Sequence, residues 1–212
     1  MNKPLLKNGF LLLTFAVLSS ACAMGNKYSY KAPNMVLPMR GDSSVGLAVI
    51  DERPYILDGD KSPDFVGLQR GGFGNPFKVT TESGKPLSVE MQSALAKSLE
   101  SNGYKVTLLQ PASGSDTAIN DEVIKRGLDR NVIVMLKEWK TDAMMRFALS
   151  YDVVLRIFNQ QMKLLAENEI KGDKEVVGGA GFESANSSAA SQAFENKMNL
   201  LFNTQDVIQA LE

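Results

Sequence analysis

The 212-residue chain contains no histidine. Histidine is the usual general base near neutral pH and the commonest metal ligand. Its absence excludes Ser-His and Cys-His nucleophilic catalysis and ordinary zinc sites, and leaves carboxylate-pair or Ser-Lys chemistry open. Cysteine is nearly absent as well, since Cys22 is the only one. No internal disulfide can form, so the fold has to rest on its core. No apolar run approaches the roughly 20 residues that a membrane-spanning helix needs. An excess of one charge is also lacking: 23 basic residues stand against 24 acidic ones. A nucleic-acid partner would want a basic face, which this balance does not supply.

What is present starts with residues 1–21. Lys3 and Lys7 form a positive front, Phe10 to Leu18 is apolar apart from Thr14, and Ser19, Ser20 and Ala21 lead into Cys22. That order is a secretory signal with its cleavage site. Two cuts are open. A lipoprotein peptidase would cut before Cys22 after diacylation of its sulfur, whereas an ordinary peptidase would cut after Ala23 and discard the cysteine. The first is expected, because it explains why the only thiol directly follows three small residues. Leu18-Ser19-Ser20-Ala21-Cys22 resembles the bacterial lipobox, with the leucine one place early. Cleavage before Cys22 leaves 191 residues, with 21 basic against 24 acidic side chains. That is enough chain for one good core.

Residues 22–44 read as the lipidated cysteine and a flexible tether, with Pro33 and Pro38 resisting regular structure. Fully extended, such a tether reaches at most about 75 Å. The alternative is a short edge strand over Met35, Val36, Leu37 and Met39. Residues 45–212 are expected to form one domain. Val45 to Ile50 is a buried strand, followed by a long glycine- and aromatic-rich loop over 51–77. Leu87, Met91, Ala94, Leu95 and Leu99 place one stripe on a helix over 86–102, started by Pro86 and ended by Gly103. A strand over 104–109 and a weaker helix over 117–130 follow. Strands over 131–140, 146–158 and 161–171 form a meander, clearest in the unbroken alternation Phe147, Leu149, Tyr151, Val153, Leu155, Ile157. A helix over 184–202 closes the chain. The expected class is α+β: a two-layer sandwich, its mostly antiparallel sheet packed on one side by helices 86–102 and 184–202.

Chemistry-bearing patterns are few. Arg70-Gly-Gly-Phe-Gly-Asn-Pro-Phe77 has the wrong spacing for either nucleotide motif, and Pro76 stands where a helix should begin. Phe73 flanked by glycines, with Arg70 beside it, has the aromatic-plus-arginine make-up of interface hot spots. Trp139, at a strand end, is a second candidate contact, weighed against core packing. Met144-Met145 at a hairpin tip is a soft contact or simple packing. Asp51, Glu52, Asp58, Asp60 and Asp64 lack the spacing and closing glutamate of an EF-hand. No cofactor, metal site or catalytic residue is expected.

Three segments together resemble the YajG family of bacterial lipoproteins: the lipobox, the helix-Gly-strand stretch Val89 to Val106, and Arg146 to Leu201, where Gly179-Ala-Gly-Phe182 enters the closing helix. The resemblance implies an α/β sandwich on a triacylated Cys22, and Ala23 in place of aspartate implies an outer-membrane address facing the periplasm. It carries over no site residues. The expected function is a non-enzymatic protein-interaction or assembly module with Arg70, Phe73 and Trp139 as contacts. A small-ligand or cell-wall-binding domain, with a deep pocket beside the loop and Trp139, is the alternative. A carboxylate-based hydrolase, with two acids within about 10 Å in a cleft, is the third reading.

Overall fold

The computed structural model describes residues 26–35 and 43–212. Cys22, the signal, and Val36, Leu37 and Met39 lie outside the described residues. The elements run β1 (Lys27–Tyr28), β2 (Ser44–Asp51), α1 (Pro54–Leu57), β3 (Phe65–Arg70), β4 (Pro76–Thr81), α2 (Leu87–Ser101), β5 (Lys105–Leu108), α3 (Asp116–Arg126), β6 (Arg130–Ala143), β7 (Arg146–Asn159), β8 (Leu164–Gly179), α4 (Glu183–Phe202) and α5 (Gln205–Leu211). Among the described residues the strands join in one eight-stranded sheet.

β6 is the axis of that sheet. One edge pairs along its whole length with β7, which pairs in turn with β8, both antiparallel. The other edge is shared by two strands in succession. β2 runs parallel to β6 from Arg130 to Leu136, and β3 takes over in parallel from Thr141 to Ala143. β5 extends the sheet beyond β2, while β4 and then β1 extend it beyond β3. The α+β class therefore stands and the meander exists, but the expectation of a mostly antiparallel sheet is corrected. The sheet is mixed, with β1–β4, β2–β5, β2–β6 and β3–β6 all parallel. The cause is visible in β2 and the first half of β6, whose apolar runs are buried on both faces as parallel central strands require.

Val45, Leu47, Val132, Val134, Leu136, Val153 and Leu155 face α2, α4 and α5 in the main core. Ala48, Ile133, Met135 and Val154 face the other way and pack with Ile119 and Val123 of α3. Helices on one side only is thus corrected too: α3 covers part of the second face. Its start is fixed by Ser115, whose hydroxyl accepts from the Ala118 N–H, and its end by Gly127 in the left-handed conformation.

The stretch 51–77 is not a loop. It folds as the helical turn α1 and the β3–β4 hairpin. Residues 26–35, expected as part of a flexible tether, pack on the domain instead. Tyr28, Tyr30 and Met35 are buried, the Ser98 hydroxyl donates to the Pro33 carbonyl at 2.7 Å, and Asn102 donates to the Met35 carbonyl at 2.8 Å. Residues 26–35 are thus part of the domain.

The parallel pairing of β2 with β6 ends at Leu136 and that of β3 begins at Thr141, which leaves a gap along this edge. Arg53 fills the gap with 0% exposure. Its Nε and Nη2 grip the Asp51 carboxylate at 2.7 Å each. Nη1 donates to the Phe65 carbonyl at 2.6 Å and the Trp139 carbonyl at 3.4 Å, and Nη2 to the Pro63 carbonyl at 3.2 Å. All five guanidinium N–H groups are used, which only a planar fork allows. Gly67 lets β3 dock closely, because a Cβ there would run into the hydroxyl and carbonyl of Thr141.

A second buried cation sits under α4. Lys197 Nζ donates to Glu175 Oε1 and Oε2 at 2.8 Å and to the Tyr151 hydroxyl at 3.0 Å, and lies 4.3 Å from the Tyr151 ring centroid. Gly172 makes room for that ring, since a Cβ there would come within 2.6 Å of it. The Lys197 hydrogen bond first, and that from Tyr151 second, hold the Glu175 carboxyl below its ordinary value. Burial pulls Lys197 down, but its bonds to Glu175 and Tyr151 outweigh this and hold it above its ordinary range.

Two expectations follow from these clusters. Arg53→Met leaves the Asp51 carboxylate without its cation and the Phe65 carbonyl without its side-chain donor, and is expected to cost about 3–5 kcal/mol in a denaturant titration. Arg53→Lys should recover little of that loss, because one ammonium cannot span the fork. For Glu175 the folded pKa is lowered, so its contribution is full above the ordinary value of 4.5 and fades as pH falls through the depressed one. Glu175→Gln should therefore melt below wild type at neutral pH, and the two melting curves should converge in acid. A melting difference that stays constant into acid would contradict this assignment.

Candidate functional site

Six chain segments end at the same side of the sheet. β6 finishes at Ala143 beside Gln69 of β3, and β7 starts opposite it. β8 ends at Gly179 beside Arg146. The β3–β4 turn closes between Arg70 and Pro76, and α4 begins at Glu183, four residues after the end of β8. The side chains gathered there are unusual for a soluble surface. Phe73 is 102% exposed, Phe182 89% and Met145 82%, with Met144 and Phe77 also on the surface. Among the described residues the exposed aromatics are Phe73, Phe77 and Phe182, and all three lie at this end. Single exposed aliphatics are ordinary, but a concentration of aromatics is informative.

The tip is held rigidly from below. Gly71 N–H donates to the Asn75 carbonyl at 3.0 Å, and Gly74, at φ +82°, donates to the Gly71 carbonyl at 2.8 Å. That left-handed position is what glycine permits, and it turns Phe73 outward. Arg70 is not a free contact residue. Its Nε and Nη2 clasp the Asp142 carboxylate of β6 at 2.6–3.0 Å, tying the hairpin stem to the sheet. The pair is partly exposed, so its role is to fix geometry rather than to add much stability. Asn186 braces the other flank. Its side chain accepts from Gly181 N–H at 2.9 Å and donates to Gln69 Oε1 at 2.7 Å, locking the start of α4 against β3.

Trp139 does not join this surface, which corrects its assignment as a contact. It is 1% exposed, donates from Nε1 to the Tyr30 hydroxyl at 3.1 Å, and stands edge-on to Phe194. The reason is a β-bulge at Lys137. Before it, even-numbered residues of β6 face the helices; after it, Trp139, Thr141 and Ala143 do. One inserted residue moves the following side chains to the opposite face. The deep pocket expected beside Trp139 is accordingly not formed by it. The groove near Arg70, about 550 Å³, is lined by Lys140, Lys174 and four carboxylates that each have a partner, although Asp152 Oδ1 makes no hydrogen bond. Asp142 is taken by Arg70, Asp152 by Lys171, Asp173 by the Ser150 hydroxyl and Glu138 by the Tyr55 hydroxyl. Among the described residues no group of three or more Cys, Asp or Glu side chains is placed to hold a metal ion.

Phe182 and Asn186 were not singled out by the sequence reasoning as site residues. The available signal was a phenylalanine at the N-cap of α4, where Ser, Thr, Asp or Asn is preferred and where it makes no capping hydrogen bond.

No protein-family model matches the sequence, and no curated protein matches it. Solved structures do. Protein XCC0632 of Xanthomonas campestris, described as family DUF330, aligns over 81% of this chain and 92% of its own at 10% identity and a TM-score of 0.48. The PelC dodecamer of Paraburkholderia phytofirmans aligns over 78% and 91% at 12% identity and a TM-score of 0.38. Lipoprotein GNA1162 of Neisseria meningitidis aligns over 77% of this chain and 100% of its own at 14% identity and a TM-score of 0.32.

Proposed function

We propose that this chain is a non-enzymatic interaction module, held by a lipidated Cys22 at the periplasmic face of a bacterial outer membrane, and that the apolar end of its sheet is the contact surface. The observation that carries the reading is the concentration of exposed aromatics at that one end, on turns that Arg70–Asp142 and Asn186 hold in place. Rigid aromatic side chains supply contact area at little conformational cost, and exposed apolar patches of this kind mark sites of association. The lipobox-like Leu18 to Cys22 and the resemblance to YajG lipoproteins support the anchor and its address. The missing histidine and the engaged carboxylates of the charged groove support a role without catalysis.

Two measurements test this. Cys22→Ser is expected to abolish palmitate incorporation and release the protein from the membrane fraction; labelling that persists would remove the anchor. A photo-crosslinking residue at Phe73 is expected to capture a contact in growing cells that the same residue at Gln160, in the turn at the far end, does not. Equal capture at both positions, or none at Phe73, would end the assignment of the surface.

A further inference from the structure

The partner of the apolar end can be inferred from how the chain enters the domain. This step rests on the anchoring of Cys22 proposed above. Cys22 stands four residues before Asn26, where the described structure begins. Four residues reach at most about 14 Å. Asn26 is fixed to the sheet, since its carbonyl accepts from the Thr80 N–H of β4 at 3.1 Å and Lys27 N–H donates to Glu183 Oε1 at 2.9 Å. β1 runs parallel to β4, so its N-terminal end faces the Pro76 end of that strand. From Thr80 back to Pro76 is four residues, which at about 3.3 Å per residue is roughly 13 Å along the strand. The turn carrying Phe73 projects beyond Pro76. The leash from the lipid is therefore no longer than the hairpin it would have to clear. Phe182 is placed with it, one residue before the Glu183 that binds Lys27.

We propose that the apolar end, with Phe73, Met145 and Phe182 as its inserting side chains, docks into the headgroup and upper acyl region of the same bilayer that holds Cys22. The chemistry suits a lipid surface. Apolar side chains that bury in the interface reach about 5–10 Å into it, and nearby cations add attraction to anionic lipids. Lys27, Lys78 and Arg146 are exposed around this end. Of the carboxylates here, Asp142 is paired with Arg70, and Glu183 keeps its charge while accepting from Lys27 N–H. The acyl chains at Cys22 already retain the protein, so docking contributes orientation rather than retention. The sheet stands on its Phe73 end and presents the β7–β8 turn, with Gln160, to the periplasm.

The test uses the full lipidated protein in vesicles of phosphatidylethanolamine and phosphatidylglycerol. Acylated Cys22 has no free thiol, so one introduced cysteine can carry an environment-sensitive fluorophore. Phe73→Cys, Met145→Cys and Phe182→Cys are expected to give blue-shifted emission that phospholipids bearing a shallow nitroxide quench. Gln160→Cys should keep the emission seen in water. All three positions are exposed, so labelling leaves the core intact. Emission at the three positions that matches Gln160→Cys would overturn the docking. A water-like Phe73→Cys in vesicles together with a protein captured at Phe73 in cells would also overturn it, while leaving the contact surface in place. Palmitate labelling independent of Cys22 would overturn it through the anchor instead.

Discussion

The structure depends on the buried guanidinium of Arg53. A sheet edge normally serves one neighbour, but β6 serves β2 and then β3 along the same edge. At that change of partner the carbonyls of Phe65 and Trp139 accept from the Arg53 side chain, and buried carbonyls without donors are costly. Arg53 serves both from one planar group, adds a bond to the Pro63 carbonyl that Leu87 N–H also reaches, and has its charge matched by Asp51 two residues away. The ion pair alone would be weak evidence for stability. Its importance is that it makes the fork possible, and everything on the β3 side, including the hairpin and β1, hangs from that fork.

The fork has a consequence for the surface. Because β3 pairs with the last part of β6, the β3–β4 hairpin ends beside the β6–β7 turn, and the end of β8 with the start of α4 closes the same side. Residues as far apart as Phe73, Met145 and Phe182 become neighbours of one end. The bulge at Lys137 acts in the opposite sense on Trp139. It turns the one tryptophan inward, onto Tyr30 and Phe194, and so ties the segment after Cys22 to the core. The ordered segment from Asn26 to Met35 and the apolar end are two results of the same packing.

Much of the chain was legible beforehand, where one physical signal dominated. The stripe Leu87, Met91, Leu95, Leu99 marks α2, and the alternation from Phe147 to Ile157 marks β7, because burial of one face imposes its period on the sequence. The hairpin within 51–77 was not legible. Its glycines and prolines read as a loop, and its pairing with β6 is non-local, so no local period reports it. The parallel order of β2 and β6 was missed for a related reason: a two-sided apolar run says that a strand is central, but its direction is set by connections elsewhere.

The sequence by itself determined the chemistry that is unavailable, through the missing histidine, and the expected anchor, through the single cysteine after a short apolar run. It also marked Phe73 as a candidate contact, because an aromatic flanked by glycines with an arginine beside it has the make-up of an interface hot spot. Only the tertiary structure decided that Arg70 is a brace, that Trp139 is core, and that Phe182 belongs with Phe73. Those outcomes depend on partners distant in sequence: Asp142 for Arg70, Tyr30 for Trp139, and the Asn186–Gln69 bond that fixes where α4 begins. Side-chain type is written locally, whereas facing and proximity are settled by register, bulges and strand order.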